Sequence, residues 1–165
     1  MAKEQARNDA QQRETGGPVT QWVTFSLADE TYGIEVMSVQ EVLPMSEIAP
    51  VPGAPPYVLG IINLRGNVVT VIDTRMRFGL DSRESDQTSR IMVIETGNNI
   101  AGILVDSVAE VINVSEEEID TAPNVGNEES SKYIHGVVSR GEELLILVDV
   151  RKLLSRDEWE EVGAL

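Results

Sequence analysis

From Trp22 to Asp149 the chain alternates short apolar bursts with breaks rich in Gly, Pro and acidic residues. The bursts are WVTFSL, YGIEV, NVVTVID, RIMVIET, AGILVD and ELLILVDV. They are too short for core helices and rich in Val and Ile, whose branched Cβ favours extended backbone, so they predict strands. After Asp149 the texture changes. VRKLL and SRDEWEEV are built of helix formers, and Ser155 followed by Glu158 spells a capping box, predicting a helical tail over 156–165. At the other end, MAKEQARNDAQQRETGGPVT is polar, aperiodic and closed by Gly-Gly-Pro. Residues 1–20 are therefore expected to be a disordered tail.

The burst pattern repeats. Tyr32-Gly33-Ile34-Glu35-Val36-Met37-Ser38-Val39-Gln40-Glu41-Val42-Leu43 lies 69 residues before Ala101-Gly102-Ile103-Leu104-Val105-Asp106-Ser107-Val108-Ala109-Glu110-Val111-Ile112, with Gly, Ile, Val, Ser, Val, Glu and Val shared. At a spacing of 76, Tyr57-Val58-Leu59-Gly60-Ile61-Ile62 matches Tyr133-Ile134-His135-Gly136-Val137-Val138, and Asp73 and Arg75 fall on Asp149 and Arg151. Each half also carries a Pro-containing acidic link, SEIAPVP or EEEIDTAP. Two copies cannot make a solenoid or propeller. The pattern predicts an all-β domain over 21–155, built as a pseudo-symmetric pair of small barrels at about 21–88 and 89–155. Whether strands are exchanged between the two is left open by a linear repeat.

Charge narrows the partners. Thirteen Lys plus Arg against twenty-eight Asp plus Glu give a net charge of −15, which disfavours nucleic acid and anionic membranes because phosphate binding needs clustered cations. The absence of cysteine removes disulfides, thiolate catalysis and zinc fingers, and one histidine cannot build a His-based metal cluster. No apolar run reaches the roughly 18–20 residues of a membrane span and no secretory leader is visible, so a soluble, cytoplasmic protein is expected.

Candidate chemistry is sparse. No phosphate-binding loop, dinucleotide fingerprint, nucleophile elbow or calcium-loop spacing occurs, so no catalytic residue, metal or cofactor is expected. A small hydrolase using Asp73, Asp106 and Asp149 is the rival reading. However, Asp73 and Asp149 follow strand-like runs and precede short helical stretches, which predicts helix N-caps. His135 occupies the slot of Leu59 in the other repeat, which predicts a surface or structural histidine. The exception is Asn63-Leu64-Arg65-Gly66-Asn67. Its twin has diverged to Ser139-Arg140-Gly141-Glu142, and a basic hairpin tip is not needed for solubility at −15. Arg65 is expected to point a cation into solvent or onto a partner. The four-proline stretch Met45 to Pro56 cannot be a central strand, so it is expected to be an extended surface link whose Met45, Ile48 and Val51 either stand exposed for docking or cover one barrel end.

Gly60-Ile61-Ile62-Asn63-Leu64-Arg65-Gly66 running into Val71-Ile72-Asp73-Thr74-Arg75, together with Gly102-Ile103-Leu104-Val105-Asp106-Ser107-Val108, resembles the CheW family of bacterial chemotaxis coupling proteins. Tyr32-Gly33-Ile34, Val39-Gln40-Glu41-Val42, Tyr133-Ile134-His135-Gly136 and Leu145-Ile146-Leu147-Val148-Asp149 complete the likeness over about residues 20–155, with Thr70 standing where the family usually has proline. The resemblance implies two SH3-like five-stranded β-barrels and a non-catalytic adaptor. Such an adaptor bridges the cytoplasmic tips of methyl-accepting chemoreceptors to the regulatory domain of the histidine kinase CheA, in the cytoplasm at membrane-associated receptor arrays and without inserting into the membrane. A CheW-like adaptor of a pilus or biofilm pathway is the alternative. The resemblance further implies receptor-side roles for Val39, Glu41, Gly60 and Arg65, with Ala101, Val105 and Val108 lining the same groove. It implies kinase-binding, ring-forming ends at Ile48 and Val51 in one link and Asp120, Asn124 and Val125 in the other.

Overall fold

The computed structural model describes residues 18–121 and 132–164. Ten strands run in the order β1 (Val19–Leu27), β2 (Glu30–Glu35), β3 (Val39–Pro44), β4 (Val58–Leu64), β5 (Asn67–Ile72), β6 (Arg90–Thr96), β7 (Asn99–Val105), β8 (Ser107–Ser115), β9 (Ile134–Arg140) and β10 (Glu143–Val148). Among the described residues two helices, α1 (Thr74–Arg77) and α2 (Arg156–Gly163), join three short 3₁₀ turns. β1 starts inside the stretch expected to be a tail: Val19 and Thr20 pair with Ser115 and Val114 of β8, and that ladder extends the strand past the local polarity.

The strands form two five-stranded sheets, β8-β1-β2-β10-β9 and β3-β6-β7-β5-β4. The second therefore comes from one contiguous stretch, whereas the first joins the two ends of the chain. The division near residue 88 follows the repeat units and not the sheets. Each unit gives two strands to one sheet and three to the other, a reciprocal exchange. Position for position, β3, β6, β7, β5 and β4 hold the places of β8, β1, β2, β10 and β9. Gly33 faces Thr24 and Leu147, and Gly102 faces Val93 and Val71, the residues at repeat spacings of 69 and 76. The two glycines thus occupy equivalent places.

Closure of each barrel comes from the Pro-containing link. Ala49 exchanges backbone hydrogen bonds with Ile61 of β4 (2.9 and 2.8 Å), and Asp120 does the same with Val137 of β9 (2.9 and 2.9 Å). Closure hides the open edges that a five-stranded sheet would otherwise expose.

Alternating side chains divide between two kinds of core. Trp22, Val114, Val138, Leu145 and Leu147 form a cluster drawn from the first barrel, and Ile62, Val69, Val71 and Ile91 form its counterpart in the second. The largest cluster draws on both sheets, including Phe25, Tyr32 and Ile146 from one and Ile72, Met92, Ile94 and Ile103 from the other. The two barrels are therefore one packed body, since most of the apolar burial lies where they meet.

Candidate functional site

The β4–β5 hairpin turns at Arg65 and Gly66, whose φ values of +51° and +86° are the successive positive angles of a tight hairpin turn. Asn63 Oδ1 accepts the Gly66 N–H at 2.9 Å and braces it. A non-glycine residue is uncommon at such a φ. The repeat supplies a comparison within the same molecule: the equivalent position in the other barrel is Gly141, at φ +63°. The turn does not require arginine, so the reason for Arg65 lies in its side chain.

That side chain is 71% exposed, as the turn predicts, but it is not alone. Its guanidinium donates to both carboxylate oxygens of Glu41 on β3, at 3.2 and 2.5 Å. The Arg65 hydrogen bond holds the Glu41 carboxyl below the usual carboxylate range against a smaller opposing effect of burial, and Glu41 raises the arginine in return. A bidentate pair fixes the guanidinium plane and leaves N–H donors facing outward. Val42, the next residue on β3, is exposed on the opposite face of that strand, so the pair stands out as a charged feature of the hairpin tip.

The other expected site residues divide sharply. Val39 and its repeat equivalent Val108 are half-buried and pack against the main cluster, so each presents only an edge. Ala101 and Val105 have 0% and 1% exposure and cannot line a groove; every residue of AGILV is apolar or glycine, so no alternation marks which side faces out. Gly60 is likewise buried, beneath Ala49, and offers no surface. In the links, Ile48 is half-buried against the second barrel's cluster, the covering alternative of the two its link allowed, and Val51 is half-buried in a turn. Asp120 is exposed while its backbone closes the first barrel. Asn124 and Val125 lie outside the described residues.

The carboxylates of the hydrolase reading have structural work. Asp73 Oδ1 accepts from Met76 N–H and Asp149 Oδ1 from Arg151 N–H, the N-caps expected of them. Asp106 holds Arg75 at 2.5 Å and accepts the Ala28 N–H at 2.9 Å. His135 is exposed and stacks on Trp22 at 5.9 Å. Both border a cavity of about 300 Å³, with Glu35, Ser38 and Arg151, where the chain crosses from the first sheet to the second. Among the described residues no group of His, Asp and Glu is placed to hold a metal ion.

Comparison with known proteins bears directly on this architecture. The family described as "CheW-like domain" matches residues 21–158. The chain is 36% identical over 149 residues to a chemotaxis protein CheW of Treponema pallidum, covering 88% of each chain. It is 34% identical over 138 residues to one of Klebsiella aerogenes, covering 84% of this chain and 83% of the relative. Among solved structures, the scaffolding protein TtCheW of Thermoanaerobacter tengcongensis superposes with a TM-score of 0.73 at 35% identity, over 80% of this chain and 90% of that one.

Proposed function

The chain belongs to the CheW-like family and is a chemotaxis adaptor, and from that premise we propose that it couples chemoreceptor signalling tips to the regulatory domain of the histidine kinase CheA. The observation that carries this reading is the Glu41–Arg65 pair, displayed on a turn whose backbone favours glycine. The receptor tip docks where β3 and the β4–β5 hairpin meet, with Val39 at its edge. Gly60 acts on that surface by allowing the barrel to close, not by touching the partner. The two links serve as the kinase-side ends, with Val51 and Asp120 as their surface residues. The adaptor works in the cytoplasm and is recruited to receptor arrays; among the described residues no helix is long and apolar enough to cross a membrane.

Coupling is passive. The chain neither hydrolyses ATP nor accepts a stable phosphoryl group, because Asp73, Asp106 and Asp149, the carboxylates a hydrolase would have used, are committed to caps and an ion pair. The test is a pull-down of this chain with the cognate kinase and a receptor cytoplasmic fragment, read as a ternary complex and as receptor-dependent kinase activity. Failure to form that complex, or stoichiometric phosphorylation of the adaptor, would overturn the reading.

A further inference from the structure

Arg77 closes α1 at a position whose repeat equivalent, 76 residues on, is the buried Leu153. A cation therefore stands where the twin holds a core side chain. Only 18% exposed, it uses three N–H groups: Nε donates to the Leu153 carbonyl at 2.8 Å, and the two terminal nitrogens donate to the two oxygens of Glu158 at 2.8 and 2.5 Å. The guanidinium lies 5.0 Å from the Tyr57 ring centre and 5.5 Å from that of Tyr133, the repeat-equivalent tyrosines that precede β4 and β9. One side chain thus touches matching points on both barrels.

Glu158 is the third residue of α2 and also completes its capping box, accepting the Ser155 N–H at 2.8 Å while Ser155 Oγ accepts the Glu158 N–H at 3.1 Å. The same carboxylate that starts the helix ties it to Arg77. The rest of the seat is modest. α2 has eight residues, far below the length at which an isolated helix persists in water. It buries only Trp159 and Val162, and the indole N–H of Trp159 has no hydrogen-bond partner among the described residues, an uncompensated burial that weakens the seat. No strand ladder passes through it. In the first unit the chain after α1 runs on without a helix, so the latch exists on one side of the pseudo-twofold only.

We infer that Arg77 is a positioning residue that pins α2, as a separately releasable latch, across the junction of the two barrels. Arg77 does this because its planar fork satisfies both oxygens of the capping carboxylate while its faces rest on the paired tyrosines. Releasing the pin withdraws Trp159 and Val162 from the main cluster and leaves the barrels folded, since their ladders and link bridges do not involve α2.

Hydrogen exchange on the full chain tests this without any partner. Arg77→Leu, which copies the twin residue, should speed exchange of the α2 amides by about tenfold while strand amides stay within about twofold. Glu158→Gln keeps a cap acceptor but loses the charge, and should speed α2 by about threefold. Arg77→Lys keeps the charge without the fork and should fall between wild type and Arg77→Leu. Protection of α2 unchanged in either Arg77→Leu or Glu158→Gln would overturn the inference. So would strand exchange that rises with that of α2, or an Arg77→Lys chain no better protected than Arg77→Leu.

Discussion

Gly60→Ala puts the barrel-closing bridge under direct test. A Cβ at Gly60 would lie 2.2 Å from the Ala49 carbonyl oxygen, 2.8 Å from its carbon and 2.8 Å from Ile48 Cγ2. Ordinary carbon–oxygen contacts are roughly 3.3 Å or longer, so the overlap is about 1 Å and falls on backbone, which cannot rotate aside. Relief requires Ala49 to leave Ile61, losing two backbone hydrogen bonds at about 1 kcal/mol each. Ile48 must also lift off the second barrel's cluster, at about 1 kcal/mol for a half-buried side chain. Holding a side-chain-bearing residue at φ +154° adds about 1 kcal/mol more. The expected loss is about 4 kcal/mol, or roughly 8–16 °C in melting temperature for a chain of this size. Gly136 is the matched control. Its Cβ would meet the Ile119 Cγ2 methyl at 2.5 Å and the Asp120 carbonyl oxygen at 2.9 Å, so its overlap with backbone is only about 0.4 Å, against about 1 Å at Gly60. Gly136→Ala should therefore cost only about 2 kcal/mol. Urea unfolding followed by the fluorescence of Trp22 and Trp159 measures both. A Gly60→Ala loss below about 1 kcal/mol, or equal losses at the two glycines, would refute the closure reasoning.

Arg65→Gly copies Gly141 and should leave the melt unchanged or slightly raised while receptor-dependent kinase activation falls; retained activation, or a large drop in melting temperature, would count against a contact role. Arg65→Lys should recover activation only in part, because it keeps charge without the bidentate fork. Burial works against ionising Asp106, but the hydrogen bonds from Arg75 and the Ala28 N–H outweigh it and hold its carboxyl below the usual range. Its contribution to stability is thus present above the unfolded value near 3.9 and lost as pH falls through the lowered folded value. Asp106→Asn should flatten the acid side of a melting-temperature profile, and an unaltered profile would contradict this. Burial, then the charges of Glu161 and Glu158, pushes the Tyr57 hydroxyl up to about 12. Ultraviolet titration should show one tyrosine, absent in Tyr57→Phe, ionising near pH 12, with stability falling once pH passes the ordinary value of about 10.

Local chemistry made much of this molecule readable before folding. Strand bursts, the capping box of Ser155 and Glu158, the caps of Asp73 and Asp149 and the exposed turn at Arg65 each depend on neighbours within a few residues. The two-unit repeat was equally visible, and the equivalence of Gly33 and Gly102 follows from it. What lay beyond the sequence depends on distant partners. A burst such as YGIEV has the same pattern whichever sheet it joins, so the reciprocal exchange appears only when β2 pairs in parallel with β10 and β5 with β7. Continuous apolar runs hide which side faces out, so nothing in the run could test the groove-lining role the resemblance implied for Ala101 and Val105, which are core. Arg65 looked like an isolated cation because Glu41 lies 24 residues away and meets it only across the folded barrel. The one local sign of the Arg77 pin was a cation in the slot of Leu153. Its meaning required two tyrosines and a carboxylate brought together from three separate stretches of chain, and only burial in a shared core does that.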